Sequence, residues 1–208
     1  MQQHHITVPR TARYFTLGAV GSHVRRLWYV LHGYGQLAER FICEFQVLDD
    51  GETLVVAPEA LSRMYLRGGD GAIGASWMTR EDRLSEIGDY LEYLNRLHAH
   101  LMPQLTNPNL TITLLGFSQG GATAGRWVAS GGVPFAELIV CGSTLPPELS
   151  PGHLSHTQVT FMVGRDDQFV NREELEAQRN ALQSAGNAVR LVEFDGGHRI
   201  AASELLFF

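Results

Sequence analysis

With 208 residues, 44% of them hydrophobic and 18% charged, the chain has the size and composition of one soluble domain, residues 1–208, with a sizeable core of its own. Its net charge is −6 and its 16 basic residues are all arginine, with no basic stripe interleaved with aromatics, which excludes nucleic acid as an expected partner. No run of eighteen apolar residues occurs, and Met1–His5 lacks the charged and apolar regions of a signal peptide, so no membrane segment and a cytoplasmic location are expected.

In chain order, short apolar runs alternate with amphipathic segments, the pattern of a parallel sheet covered on both faces. Eight strands are predicted. Residues 5–8 and 14–18 flank a Pro-Arg-Thr turn and predict an antiparallel hairpin at one edge. Residues 26–31, 53–57, 111–115, 137–141, 159–163 and 189–194 supply the rest. Helices are predicted over 38–48, 80–101, 120–129, 172–185 and 200–207. The second is the clearest, with Leu84, Ile87, Leu91 and Leu94 at helical spacing, Thr79 as its N-cap and Pro103 beyond its end. Of the two cysteines, Cys141 sits in a predicted buried strand, where a thiol acts as a small hydrophobe, and Cys43 in the first helix.

Four loops at strand ends carry the chemistry. In a doubly wound sheet such groups gather at the carboxyl edge. The fifth strand runs into Gly116-Phe117-Ser118-Gln119-Gly120, followed by small residues suited to close helix packing. This G-x-S-x-G, set between strand and helix, predicts a sharp turn that lifts the Ser118 hydroxyl out of the sheet as a nucleophile. A serine hydroxyl needs a base, and His198 is the candidate, because Gly196 and Gly197 let its loop swing over the sheet edge. His32 lies in the loop after the third strand and is expected to prop it. His98 and His100 are two apart on a helix and face different ways, while His153 and His156 fall in a Pro/Ser-rich loop. No metal site is predicted.

A third group must hold the imidazole, and Asp166 and Asp167 after the seventh strand are both candidates by spacing. Two N–H donors must meet the developing oxyanion. One is the amide of Gln119, next to the nucleophile; the other is assigned to Tyr34, whose flanking glycines let its amide turn inward. The glycine-rich segment 67–79 follows the fourth strand, and its Trp77 is a candidate wall of the substrate pocket, as is Phe169 beside the acid pair. Trp77 has an alternative role as an anchor of the helix that follows.

Together, Leu31-His-Gly-Tyr-Gly, Gly116-Phe-Ser-Gln-Gly-Gly, Gly164-x-x-Asp-x-x-Val and Gly197-His198 resemble the α/β-hydrolase carboxylesterase, phospholipase and acyl-protein thioesterase family. The resemblance implies an α/β-hydrolase fold: a mostly parallel eight-stranded sheet, helices on both faces and no large lid domain. It also selects Asp167, because the family's acid stands three residues after the glycine and three before the valine. The family's oxyanion loop usually reads H-G-L-G-D, where this chain has Tyr34 and Gln36, and the acid loop usually ends V-P, where it has Val170-Asn171.

The expected activity is hydrolysis of short- to medium-chain carboxylic esters through a Ser118-His198-Asp167 triad and an acyl-enzyme. Lysophospholipids and thioesters fall within the same chemistry. The substrate is a small acyl ester or thioester, and no metal or organic cofactor is required. The alternatives are a mainly thioester-cleaving enzyme, or a ligand-binding protein on the same fold that hydrolyses little.

Overall fold

The computed structural model describes residues 1–69 and 71–208. Its strands in chain order are β1 (Tyr14–Leu17), β2 (Arg26–Leu31), β3 (Thr53–Pro58), β4 (Ser62–Tyr65), β5 (Ile73–Ser76), β6 (Thr111–Phe117), β7 (Glu137–Cys141), β8 (Gln158–Gly164) and β9 (Val189–Phe194). Four α-helices accompany them: α1 (Ala38–Phe41), α2 (Arg83–Leu101), α3 (Gln119–Ala129) and α4 (Arg172–Ser184). Seven strands form the main sheet in the order β1-β3-β2-β6-β7-β8-β9, parallel except where β1 runs against β3.

The central strands read as continuous apolar runs because both faces are covered. Along β2, Leu27, Tyr29 and Leu31 point into one core with Trp127, Leu94 and Phe161, while Trp28 and Val30 point into the other with Phe41, Phe45 and Leu205. That division is the period of two expected of a strand.

Four local expectations are corrected. Residues 5–8 form no strand: Ile6 is 87% exposed, so the segment has no face to bury, and β1 instead pairs along β3 from Tyr14↔Pro58 to Leu17↔Val55. Among the described residues the main sheet accordingly has seven strands, not eight, and no edge hairpin. The first and last helical segments are largely 3-10 in form, Ile42–Leu48 and Ala202–Phe207; in the first, Ile42, Phe45 and Leu48 recur every three residues and three per turn buries them all. Helix α2 begins at Arg83 and not after Thr79: its N-cap position is Asp82, held at φ +47°, and Thr79 donates through its backbone N–H and its hydroxyl to the Glu86 carboxylate. Leu84, counted on the apolar stripe, is exposed; Tyr90, Leu94, Leu97 and Leu101 are the buried line.

Strands β4 and β5, absent from the predicted elements, form a separate antiparallel pair from Ser62↔Ser76 to Tyr65↔Ile73. Part of the glycine-rich segment 67–79 is therefore strand; its Asp70 lies outside the described residues. This hairpin packs on the loop after β2 and so matters for the site.

Candidate active site

Ser118 sits between β6 and α3 at φ +53°, ψ −118°, a conformation that L-residues avoid and that costs about 1–3 kcal/mol. The surroundings enforce it. A Cβ on Gly116 would stand 2.2 Å from the Gly120 carbonyl oxygen, and one on Gly120 would stand 2.3 Å from that of Leu31. Both obstacles are backbone and cannot move aside, so only glycine allows strand, turn and helix to close so tightly. The Ser118 N–H donates to the Cys141 carbonyl at 2.8 Å, which ties the turn to the end of β7.

The loops that carry Asp167 and His198 are stitched together at the ends of β8 and β9. Arg165 N–H donates to the Phe194 carbonyl and Asp166 N–H to that of Gly196, both at 2.9 Å. His198 Nδ1 lies 2.8 Å from Asp167 Oδ2, while Asp167 Oδ1 accepts the Phe169 N–H at 2.9 Å. The Asp167 side chain is 1% exposed and both of its oxygens are used; Asp166 is exposed. The two aspartates that spacing left equal are thus separated by orientation.

The imidazole of His198 packs against two aromatic rings, with centroids 4.7 Å away at Phe117 and 4.8 Å away at Phe169. Phe117 in turn stacks on Phe41. Gly142, the residue after Cys141, passes beneath the imidazole, where a Cβ would come 3.1 Å from two of its atoms. His198 is therefore held one residue along β7's end from the strand carbonyl that fixes Ser118. With Nδ1 engaged by Asp167, Nε2 is the nitrogen left for chemistry.

The loop after β2 is ordered by a set of bonds that leaves one amide over. Gly33 N–H donates to the Gln36 side-chain oxygen at 2.7 Å, Gly35 N–H to the Ala75 carbonyl at 2.9 Å, and Gln36 N–H to the Gly33 carbonyl at 3.2 Å. Among the described residues the N–H of Tyr34 has no acceptor, and neither has that of Gln119. Gly33 lies against Ser118, a Cβ there coming 3.3 Å from the serine Cβ. The Tyr34 side chain points outward and is exposed.

His32 props this loop from inside. Ala60 N–H donates to its Nε2 at 3.1 Å, so the ring proton resides on Nδ1, which donates to the Gly33 carbonyl at 2.8 Å. Burial holds this imidazole below its usual pKa of 6.5, outweighing the upward pull of the Gly33 bond and of Glu59. A depressed folded-state value gives stability at pH above 6.5 that is lost as pH falls through the folded value, because a second ring proton evicts Ala60 N–H. The urea midpoint of the wild type should therefore drop between about pH 7.5 and about pH 5.5, and His32→Gln should show a smaller drop. An equal drop in both proteins would assign the acid sensitivity to other groups.

Trp77, expected at the substrate, is 3% exposed; its indole N–H donates to the His32 carbonyl at 2.9 Å and its ring meets Tyr90 edge-on. The side chain is a strut under the loop and an anchor for α2, the alternative role, and it offers the site almost no surface. Phe169, the other candidate, is 81% exposed beside His198. Two contributions escaped the sequence. Gln36 appeared only as a departure from the family pattern, yet it holds Gly33. Glu59, buried at the end of β3, takes a two-pronged bond from Arg13 and accepts the Ala38 N–H. An apolar-run search passes over a lone buried carboxylate.

Beside Gly35 a cavity of about 240 Å³ opens between α1 and the β4–β5 hairpin, walled by Leu37, Phe41, Leu66 and Ile73, with Arg40 and Glu44 at its side. No cluster of three or more His, Cys, Asp or Glu among the described residues is arranged to hold a metal ion. No helix among them is long and apolar enough to cross a membrane.

Comparison with known proteins bears on the fold and the family. Among curated proteins, none matches the chain significantly. Esterase PE8 superimposes with a TM-score of 0.71 at 25% identity, over 95% of this chain and 96% of that one. Acyl-protein thioesterase 2 of Zea mays gives 0.69 at 19% identity, over 95% and 96%, and the Bacillus cereus carboxylesterase 0.69 at 14%, over 93% and 90%. The profile of the phospholipase/carboxylesterase family matches residues 24–207. The chain therefore belongs to the phospholipase/carboxylesterase family and is a carboxylic ester hydrolase on the α/β-hydrolase fold.

Proposed function

We propose that the whole chain, 1–208, acts as one serine hydrolase domain that cleaves short- to medium-chain carboxylic esters, lysophospholipids and thioesters being within its chemistry. The observation that carries this reading is the His198–Asp167 bond, formed at the sheet edge where the strained turn presents Ser118. Ser118 Oγ attacks the acyl carbonyl carbon while its proton passes to His198 Nε2. The carbonyl oxygen becomes an anion that accepts from the amides of Tyr34 and Gln119, the two loop donors without another acceptor among the described residues.

The tetrahedral adduct then collapses. The bond to the leaving alcohol or thiol breaks, His198 returns the proton to it, and the acyl group stays on Ser118. Water repeats the sequence and releases the acid. Asp167 holds the imidazole in the tautomer that leaves Nε2 free to accept, and stabilises the imidazolium without taking up the proton. Every proton is carried by groups of the chain, so the reaction calls on no metal or organic cofactor.

The aromatic surface of Phe169 is available to the substrate beside His198, and the cavity beyond Gly35, lined by both apolar and polar side chains, has room for one arm of the ester. Trp77 supports the oxyanion loop in this reading, without touching substrate.

Incubation with p-nitrophenyl acetate and butyrate, alongside labelling with a fluorophosphonate probe, tests the reading. The expected result is turnover of both esters and a single phosphonyl adduct on the peptide containing Ser118. No turnover and no adduct would leave a ligand-binding protein on the hydrolase fold. Matched acyl esters and thioesters of increasing chain length then rank the substrate classes.

A further inference from the structure

The side chain of Gln119 has a fixed set of partners. Its Oε1 accepts the Trp77 N–H at 3.0 Å, and its Nε2 donates to the Met78 carbonyl at 2.8 Å and to Ser76 Oγ at 3.1 Å. The Ser76 hydroxyl completes the ring by donating to the same Met78 carbonyl at 2.9 Å. A backbone N–H can only donate and a carbonyl can only accept, so these partners fix which end of the amide faces which group.

The clamped segment follows directly from β5, and β5 holds the oxyanion loop. Gly35 N–H donates to the Ala75 carbonyl, Ala75 N–H donates to the Gln36 carbonyl, and the Trp77 indole donates to the His32 carbonyl. The two backbones touch at Gly74, where a Cβ would stand 2.3 Å from the Gly35 carbonyl oxygen. Through these bonds the position of Tyr34 follows that of Ser76–Met78, and the Gln119 side chain sets that segment against the first residue of α3.

We propose that Gln119 is a positioning residue: its side chain fixes the separation of the two oxyanion donors, its own backbone N–H and that of Tyr34. The inference rests on the hydrolase reading above. Donors act on a developing oxyanion only within a narrow range of distance, and a displacement of about 1 Å can cost about a hundredfold in rate. The charge grows only on the way to the transition state, so relaxing the clamp lowers kcat more than it raises KM.

The test compares wild type, Gln119→Met and Gln119→Glu on p-nitrophenyl butyrate, with active sites counted by exhaustive fluorophosphonate labelling. Methionine keeps the length of the side chain and makes none of its hydrogen bonds. Expected for Gln119→Met is a fall in kcat per labelled site of about tenfold or more with KM within about threefold. A smaller fall in kcat overturns the proposal, since lost folding alone removes sites without slowing those that remain. Glutamate can donate to the Met78 carbonyl only when protonated, so the ratio of its kcat to that of wild type should rise from about pH 8 to about pH 5.5. If Gln119→Met yields no folded protein, this ratio decides, and a flat one overturns the proposal. Wild type that neither turns over nor labels would instead reject the hydrolase reading itself.

Discussion

Replacement of Ser118 by alanine should lower kcat on p-nitrophenyl butyrate about 10⁶-fold, close to 8 kcal/mol of barrier, and should abolish fluorophosphonate labelling. His198→Ala should cost nearly as much, because the hydroxyl without its base is an ordinary alcohol. The double variant should be no slower than either single one. Nucleophile and base act as a unit, and removing the second member of a disabled pair removes nothing further. Residual hydrolysis of about 10³–10⁴ over water should persist, supplied by the oxyanion donors and by substrate binding.

Folding should not change with Ser118→Ala. The serine hydroxyl has no hydrogen-bond partner among the described residues, and alanine meets the same backbone strain at φ +53°. Circular dichroism and the melting temperature should therefore match the wild type. A variant that keeps more than about 1% of the wild-type rate would show that another group is the nucleophile.

The parts of the site legible in the sequence are those where chemistry and sterics leave a single residue type. Gly116 and Gly120 are forced by backbone atoms closer than any Cβ allows, so the elbow could be read from its letters. Asp167 was half legible. Spacing put two carboxyls in the loop that reaches His198, and only the turn that points one inward and the other to solvent distinguishes them. Trp77 was misleading because an aromatic beside flexible glycines suits a pocket wall and a buried strut equally well, and its indole N–H found a backbone carbonyl that sequence cannot place.

Secondary structure failed for a different reason. Residues 5–8 have acceptable strand composition, but β1 pairs with β3 and leaves its outer edge open, and Ile6 and Val8 stay exposed with no face to bury. The β4 and β5 strands are four residues each, and β4 buries none of its residues fully, so they carry no periodic signal. Their existence depends on pairing with one another and on contact with the loop after β2. The hairpin is thus tertiary in origin, and so is the placement of Tyr34 that follows from it.

Asp167→Asn should lower kcat about 10⁴-fold with little change in KM, while Asp166→Asn should remain within about twofold of wild type. Both substitutions remove one negative charge within the same loop, so net charge cannot account for the difference. Asparagine at 167 has one oxygen where aspartate has two. The Phe169 N–H can only donate, so that oxygen stays with it, and the amide NH₂ then faces His198 Nδ1. Nδ1 is forced to accept, the ring proton moves to Nε2, and the imidazole can no longer take the proton from Ser118. The imidazolium also loses its counter-charge in a place that water hardly reaches. Asp166 is exposed and contributes a backbone N–H to Gly196, a bond that asparagine keeps. The measurement is kcat per fluorophosphonate-labelled site, and a slow Asp166 variant beside a fast Asp167 one would move the acid by one residue. Asp167→Ala separates the two effects further: it strands the Phe169 N–H as well, so it should lose melting temperature where Asp167→Asn does not.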